Sequence, residues 1–148
     1  MLVLCLMAGC LTAAGQASPS ITRARGESFT LEVRYAALPA VTLTALKWDI
    51  IFPAQLMDLE GDAPEAGPSA LASGKTLQCN LIKPYLYTCL LFGGQKPLGD
   101  GAAALFHFKI RTTVDPVASK LRLQDADAST ADLKRVTLKD AEASVTIQ

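Results

Sequence analysis

From Ser28 to Tyr35 the apolar residues Phe29, Leu31, Val33 and Tyr35 alternate with Thr30, Glu32 and Arg34. A period of two is that of a strand with one face buried and one face wet. Leu43–Phe52 repeats it, with Leu46, Trp48, Ile50 and Phe52 on one face and Ala45, Lys47, Asp49 and Ile51 on the other. Pro53 has no N–H to give to a ladder, so the strand ends there and turns through Ala54-Gln55 into a short apolar stretch, Leu56–Leu59. Gly61–Gly74 is rich in Gly, Pro, Ala, Ser and acid, which predicts a long surface excursion with one helical turn at Pro68–Ala72.

Two more strands are predicted at Lys75–Ile82 and Tyr85–Phe92, joined at Lys83-Pro84-Tyr85. A hairpin about that turn sets Cys79 opposite Cys89, Leu77 opposite Leu91 and Leu81 opposite Tyr87. Beyond Gly93-Gly94 and Gly99-Asp100-Gly101, the stretch Ala102–Thr113 points Ala104, Phe106, Phe108 and Ile110 inward and His107, Lys109 and Arg111 outward. Asp115-Pro116 stops it. Leu121 and Leu123 mark a short strand, Asp125–Lys134 a polar turn region, and Val136–Leu138 with Ala143, Val145 and Ile147 the closing strands. No segment keeps a helical period over three turns. The fold class is therefore all-β, an antiparallel two-sheet β-sandwich of about nine strands.

The amino terminus follows another pattern. Leu2–Ala14 is apolar or small and uncharged, and too short to span a bilayer. With Ala14-Gly15-Gln16-Ala17 it reads as a secretory signal peptide over residues 1–17, followed by a linker and first strand region at 18–27 and the sandwich at 28–148. Met7-Ala8-Gly9-Cys10 supports an alternative, a lipoprotein signal in which Cys10 is lipidated; an uncleaved anchor is a third. Each places the folded domain outside the cytoplasm, secreted or at the cell surface, with a membrane contact only through an anchor.

Composition narrows the chemistry. A chain of 148 residues, half of them hydrophobic, supports one core. Fourteen basic and fourteen acidic side chains cancel, and no basic stripe exists for phosphates, which excludes nucleic acid as a partner. Cys5 and Cys10 belong to the leader, leaving Cys79 and Cys89. Facing each other on adjacent antiparallel strands they lie within disulfide reach, and in an oxidising compartment they join; two buried thiols are the alternative. Two thiolates and one distant histidine do not complete a zinc site, so no metal or cofactor is expected.

No believable catalytic set emerges. Gly74-Lys75-Thr76 has the end of a phosphate-binding loop, but Ser69 stands where its first Gly belongs. Asp125-Ala126-Asp127-Ala128-Ser129 opens like a calcium loop, yet Thr130 replaces the turn Gly and Val136 the final Glu, which leaves a solvated turn. His107, the one histidine, faces outward with no nucleophile motif beside it. Asp58, Glu60, Asp62 and Glu65 form a hydrated acidic loop. Trp48 is in phase with the core, so Tyr85 is the best exposed ring, and one ring makes a poor sugar platform.

The run Leu46–Pro53, then Ala72–Cys79, Tyr87–Gly93 and Gly99–Leu105, in that order and spacing, resembles the cohesin-like domains, especially those in secreted proteins of soil bacteria such as acidobacteria. The resemblance spans roughly Ser28 to the carboxyl terminus. It implies a jelly-roll sandwich, related to cellulose-binding modules, that binds a protein partner through one flat sheet face. In cellulosomal cohesins that partner is a calcium-loaded dockerin. Those cohesins carry an Asn and an Asp where this chain has Ala45 and Lys47. By analogy with the family face, the partner-binding positions here are Lys47, Asp49, Gln78, Asn80, Arg122 and Gln124. The alternative is a carbohydrate-binding module that takes polysaccharide on the same sandwich.

Overall fold

The computed structural model describes residues 3–7, 19–36 and 42–148, the first of these by backbone alone. In chain order the elements are β1 (Val3–Met7), β2 (Ser20–Arg23), β3 (Ser28–Ala36), β4 (Leu43–Ile51), β5 (Met57–Leu59), β6 (Glu65–Ala66), α1 (Pro68–Ala72), β7 (Thr76–Lys83), β8 (Leu86–Phe92), β9 (Gly101–Ile110), β10 (Val117–Thr130), β11 (Arg135–Thr137) and β12 (Ala141–Ile147). The strand count exceeds the expected nine because β5, β6 and β11 are pieces of three residues or fewer, too short to carry a readable period. Cys10 and the predicted cleavage point after Ala17 lie outside the described residues.

The strands form two sheets. One runs β1-β3-β9-β5, with β6 also on β9; the other runs β2-β12-β10-β4-β8-β7, with β11 beside β10. Every pairing is antiparallel except β2 with β12, which is parallel, so the expected all-antiparallel arrangement holds everywhere but at this one edge. A parallel pair needs a long crossover between its strands, and here most of the domain lies between them.

The inner faces supply the core. Phe29, Leu31, Val33, Phe106, Phe108 and Ile110 from the first sheet meet Leu46, Trp48, Ile50, Leu91, Leu121, Leu123 and Val145 from the second, all buried. Rings from both sheets interlock: Phe52 lies 5.3 Å from Phe108 and 5.8 Å from Tyr87, and Tyr87 lies edge-on to Phe106 at 6.1 Å. Each fully buried side chain of this size contributes about 1.5–3 kcal/mol.

The predicted helical turn is α1, with Pro68 at its first position. The loop before it comes close to β9: a Cβ on Gly67 would stand 2.2 Å from the carbonyl oxygen of Ala102, so only glycine fits. Lys75, in the Gly74-Lys75-Thr76 stretch that sequence already separated from a phosphate loop, is a buried structural side chain. Its ammonium donates to the carbonyl of Gly93 at 2.8 Å, tying the start of β7 to the end of β8, and burial lowers its pKa.

The region 125–134 differs from the sequence expectation. It was expected to be a polar turn, but β10 continues through it to Thr130, 14 residues in all. Leu121 and Leu123 point inward, and so do Ala126, Ala128 and Thr130; the phase shifts by one at Asp125, whose φ is 51°. The register against β4 jumps at the same place. A β-bulge inserts one residue and moves all later side chains to the opposite parity, which made the strand unreadable as a simple alternation.

Candidate binding face

The outer face of β10-β4-β8-β7 is a wall whose rows are set by register. One row runs Asp127, Lys47, Leu90, Gln78; the next runs Gln124, Asp49, Thr88, Asn80. Arg122, Ile51 and Leu86 make a third, and Phe92 lies beside Thr76. The six positions predicted from sequence, Lys47, Asp49, Gln78, Asn80, Arg122 and Gln124, are thus brought together on one side of one sheet.

Sequence reading missed the centre of this wall. Leu90 is 41% exposed, between Lys47 of β4 and Gln78 of β7, and Phe92 is 37% exposed one row on, beside Thr76. They sit in Leu86–Phe92, where apolar residues occupy both parities, so no alternation separates the outward ones from Cys89 and Leu91 behind them. Around the apolar centre, Thr88 Oγ1 donates to Asp49 Oδ1 at 2.7 Å, and Asp127 accepts from Arg135 and Thr137. The bond from Arg135, with the charge of Arg135, the bond from Thr137 and the charge of Lys47, holds the Asp127 carboxyl below the usual range against the opposing effect of desolvation. Among the described residues, no hydrogen bond to the side chains of Lys47, Gln78 or Asn80 is present.

Beneath the wall, Cys79 and Cys89 form a disulfide, in the register expected from the hairpin, with Cα atoms 4.1 Å apart. The bridge lies on the inner side of the hairpin. It fixes β7, an edge strand, to β8 and so sets where Gln78 and Asn80 stand.

The other sequence candidates do not assemble into a reaction centre. Asp58 pairs with Arg111, Glu60 accepts from Ser28, and Glu65 contacts His107, so these acids are spread over the outer face of the first sheet, each with its own partner. Trp48 is fully buried, and Tyr85 is exposed at the hairpin turn with the Lys83 ammonium 5.9 Å from its ring centre. Among the described residues there is no group of three or more His, Cys, Asp or Glu placed to hold a metal ion. No described helix is long and apolar enough to cross a membrane.

Solved structures superpose on this arrangement over nearly the whole chain. A type I cohesin from Clostridium thermocellum, in complex with a dockerin, matches with a TM-score of 0.76 at 14% identity, covering 99% of each chain. The chain has a cohesin-like fold. The sixth cohesin of scaffoldin B from Acetivibrio cellulolyticus, also solved with a dockerin, gives 0.75 at 14% identity over 99% of each chain. A non-cellulosomal cohesin from the archaeon Archaeoglobus fulgidus gives 0.73 at 12% identity, over 99% of this chain and 91% of that one. No protein-family model matches this cohesin-like domain, and no curated protein matches it in sequence.

Proposed function

We propose that this cohesin-like domain is a non-catalytic recognition module that binds a protein partner of dockerin type through the outer face of β10-β4-β8-β7. The observation that carries the reading is the composition of that wall: an apolar centre of Leu90 and Phe92, framed by the side chains of Lys47, Asp49, Gln78 and Asn80. Interfaces between proteins have this anatomy, an apolar core that excludes water and a polar rim that sets specificity. The dockerins in complex with the Clostridium and Acetivibrio cohesins support a partner of the same kind. Contacts must differ in detail, since Ala45 and Lys47 replace the Asn and Asp of cellulosomal cohesins.

The domain works outside the cytoplasm, delivered by the leader over residues 1–17, which takes β1 with it when cleaved, and released, or held through Cys10. A disulfide between its two remaining cysteines fits an oxidising compartment. Mass spectrometry of the mature amino terminus distinguishes release after Ala17 from lipidation at Cys10.

The test of function is calorimetric titration of the purified domain against a panel of calcium-loaded dockerin modules, with pull-down from the secretome of its source organism alongside. Saturable binding of a protein, lost when Leu90 is changed to a charged residue, is expected. Binding to insoluble cellulose or chitin with no protein recovered would overturn the proposal.

A further inference from the structure

The outer edge of β7 bears backbone groups that the partner face does not use. β7 ends its sheet, and it is eight residues long, whereas β2 at the opposite end has four. It holds no proline and its one charge, Lys83, is at its last position. Natural edges are normally blunted by such residues, by shortness or by cover. The short Cα–Cα distance at Cys79–Cys89 marks a pair that exchanges no backbone hydrogen bonds, so the N–H and C=O groups of Leu77, Cys79 and Leu81 point away from β8. Among the described residues none of them has a partner on that side. Leu81 and Ile82 are more than half exposed.

The order of side chains along this edge is chemically symmetric about Cys79. Leu77 and Leu81 are identical, Gln78 and Asn80 are both amides, and Thr76 and Ile82 are both β-branched. We propose that this edge pairs with the same edge of a second copy of the chain, antiparallel about a two-fold axis at Cys79. In that register Leu77 meets Leu81 of the second copy on the inner side, and Gln78 meets its Asn80 on the outer side, with about six new backbone hydrogen bonds. Apolar thus meets apolar and amide meets amide, and each such contact is made twice across the axis, as in an isologous interface. The pairing with β8 is regular from Thr76 to Leu81, and the bulge at Ile82 lies beyond these central pairs. Lys83 falls opposite Lys75 of the second copy, whose ammonium is turned inward to Gly93 and does not oppose it. The two sheets become one, and the two partner faces lie side by side.

Sedimentation of the purified chain from about 1 µM to about 1 mM tests this independently of any partner. The mass is expected to rise toward twice that of one chain, while amide exchange at Leu77, Cys79 and Leu81 slows with concentration. Gln78→Glu with Asn80→Glu sets carboxylates against carboxylates across the axis and weakens association at least about tenfold; Gln78→Lys with Asn80→Glu sets opposite charges together and keeps it. These side chains face solvent, and circular dichroism confirms that both variants fold. A chain that stays monomeric at every concentration overturns the proposal and leaves the edge to a strand of another protein. Equal association by the two double variants overturns it as well, because the contact then lies elsewhere.

Discussion

The two outer faces of the sandwich are built from the same kind of alternation and end in opposite states. On the first sheet the polar side chains satisfy each other: His107 is held between Thr30 at 2.9 Å and Glu65 at 3.3 Å, Ser28 donates to Glu60, Arg34 pairs with Glu32 and Arg111 with Asp58. On the second sheet Asp49 is bonded to Thr88 and Asp127 to Arg135, but Leu90 and Phe92 lie open beside Gln78 and Asn80, whose amides have no hydrogen bond among the described residues. A face whose groups are already paired gains little from a partner, since each new bond must replace an old one or water. A face with apolar centre and uncommitted amides gains by covering both, and that difference assigns the binding role to the second sheet.

The largest expected effect breaks the comparison at its apolar centre. Leu90→Lys buries a charge in the proposed interface and should weaken partner binding by about a hundredfold or more in calorimetry, with the melting temperature nearly unchanged because the side chain faces solvent in the free domain. A large drop in melting temperature instead would mean that Leu90 belongs to the core.

Removing the bridge beneath that face comes next. Cys79→Ala with Cys89→Ala reopens a loop with sequence separation 10 and should cost about 2.5–3 kcal/mol in denaturant unfolding. Amide exchange should quicken in β7 and β8 and remain slow in β3 and β9. Uniform quickening would show that the bridge supports the whole sandwich rather than the face.

On the paired face the effects should be small. His107→Ala removes contacts with Thr30 and Glu65 at a part-exposed site, so a loss under about 1 kcal/mol and unchanged partner affinity are expected. Loss of binding would reverse the roles given to the two sheets.

The finest test uses acid. Asp127 has its folded pKa lowered from the ordinary 3.8, chiefly by Arg135, so the folded state holds fewer protons than the unfolded one. Its contribution is complete above that value and disappears as pH falls through the lowered one. Arg135→Ala should therefore lower stability slightly across the neutral region and leave it unchanged below both pKa values, so that the acid limb of the stability curve flattens.

Much of this fold was legible because burial is one-sided. The alternations at Phe29–Tyr35 and Leu46–Phe52 survive intact in β3 and β4, and the cysteines together with Leu77, Leu81, Tyr87 and Leu91 gave the hairpin register residue by residue. Candidate polar positions were legible for the same reason, since the residues out of phase with a buried set must face out. Legibility failed where parity itself failed. In β8 apolar side chains fill both sides, which hid Leu90 and Phe92; in β10 one bulged residue reversed the phase, which hid half a strand. Lys75 was unreadable for a third reason: a lone lysine buried against a backbone carbonyl has no local pattern.

The bulge at Asp125 lets a single strand carry two phases of alternation into the same core. One register lets Leu121 and Leu123 enter the core before it, and another lets Ala126 and Ala128 enter after it. Excising that single residue would remove the bulge and leave one unbroken alternation, with Leu121, Leu123, Ala126 and Ala128 all still inward. Among descendants of this gene, a one-codon deletion at the bulge should be tolerated better than one elsewhere in the strand, where the inward side chains would lose their phase.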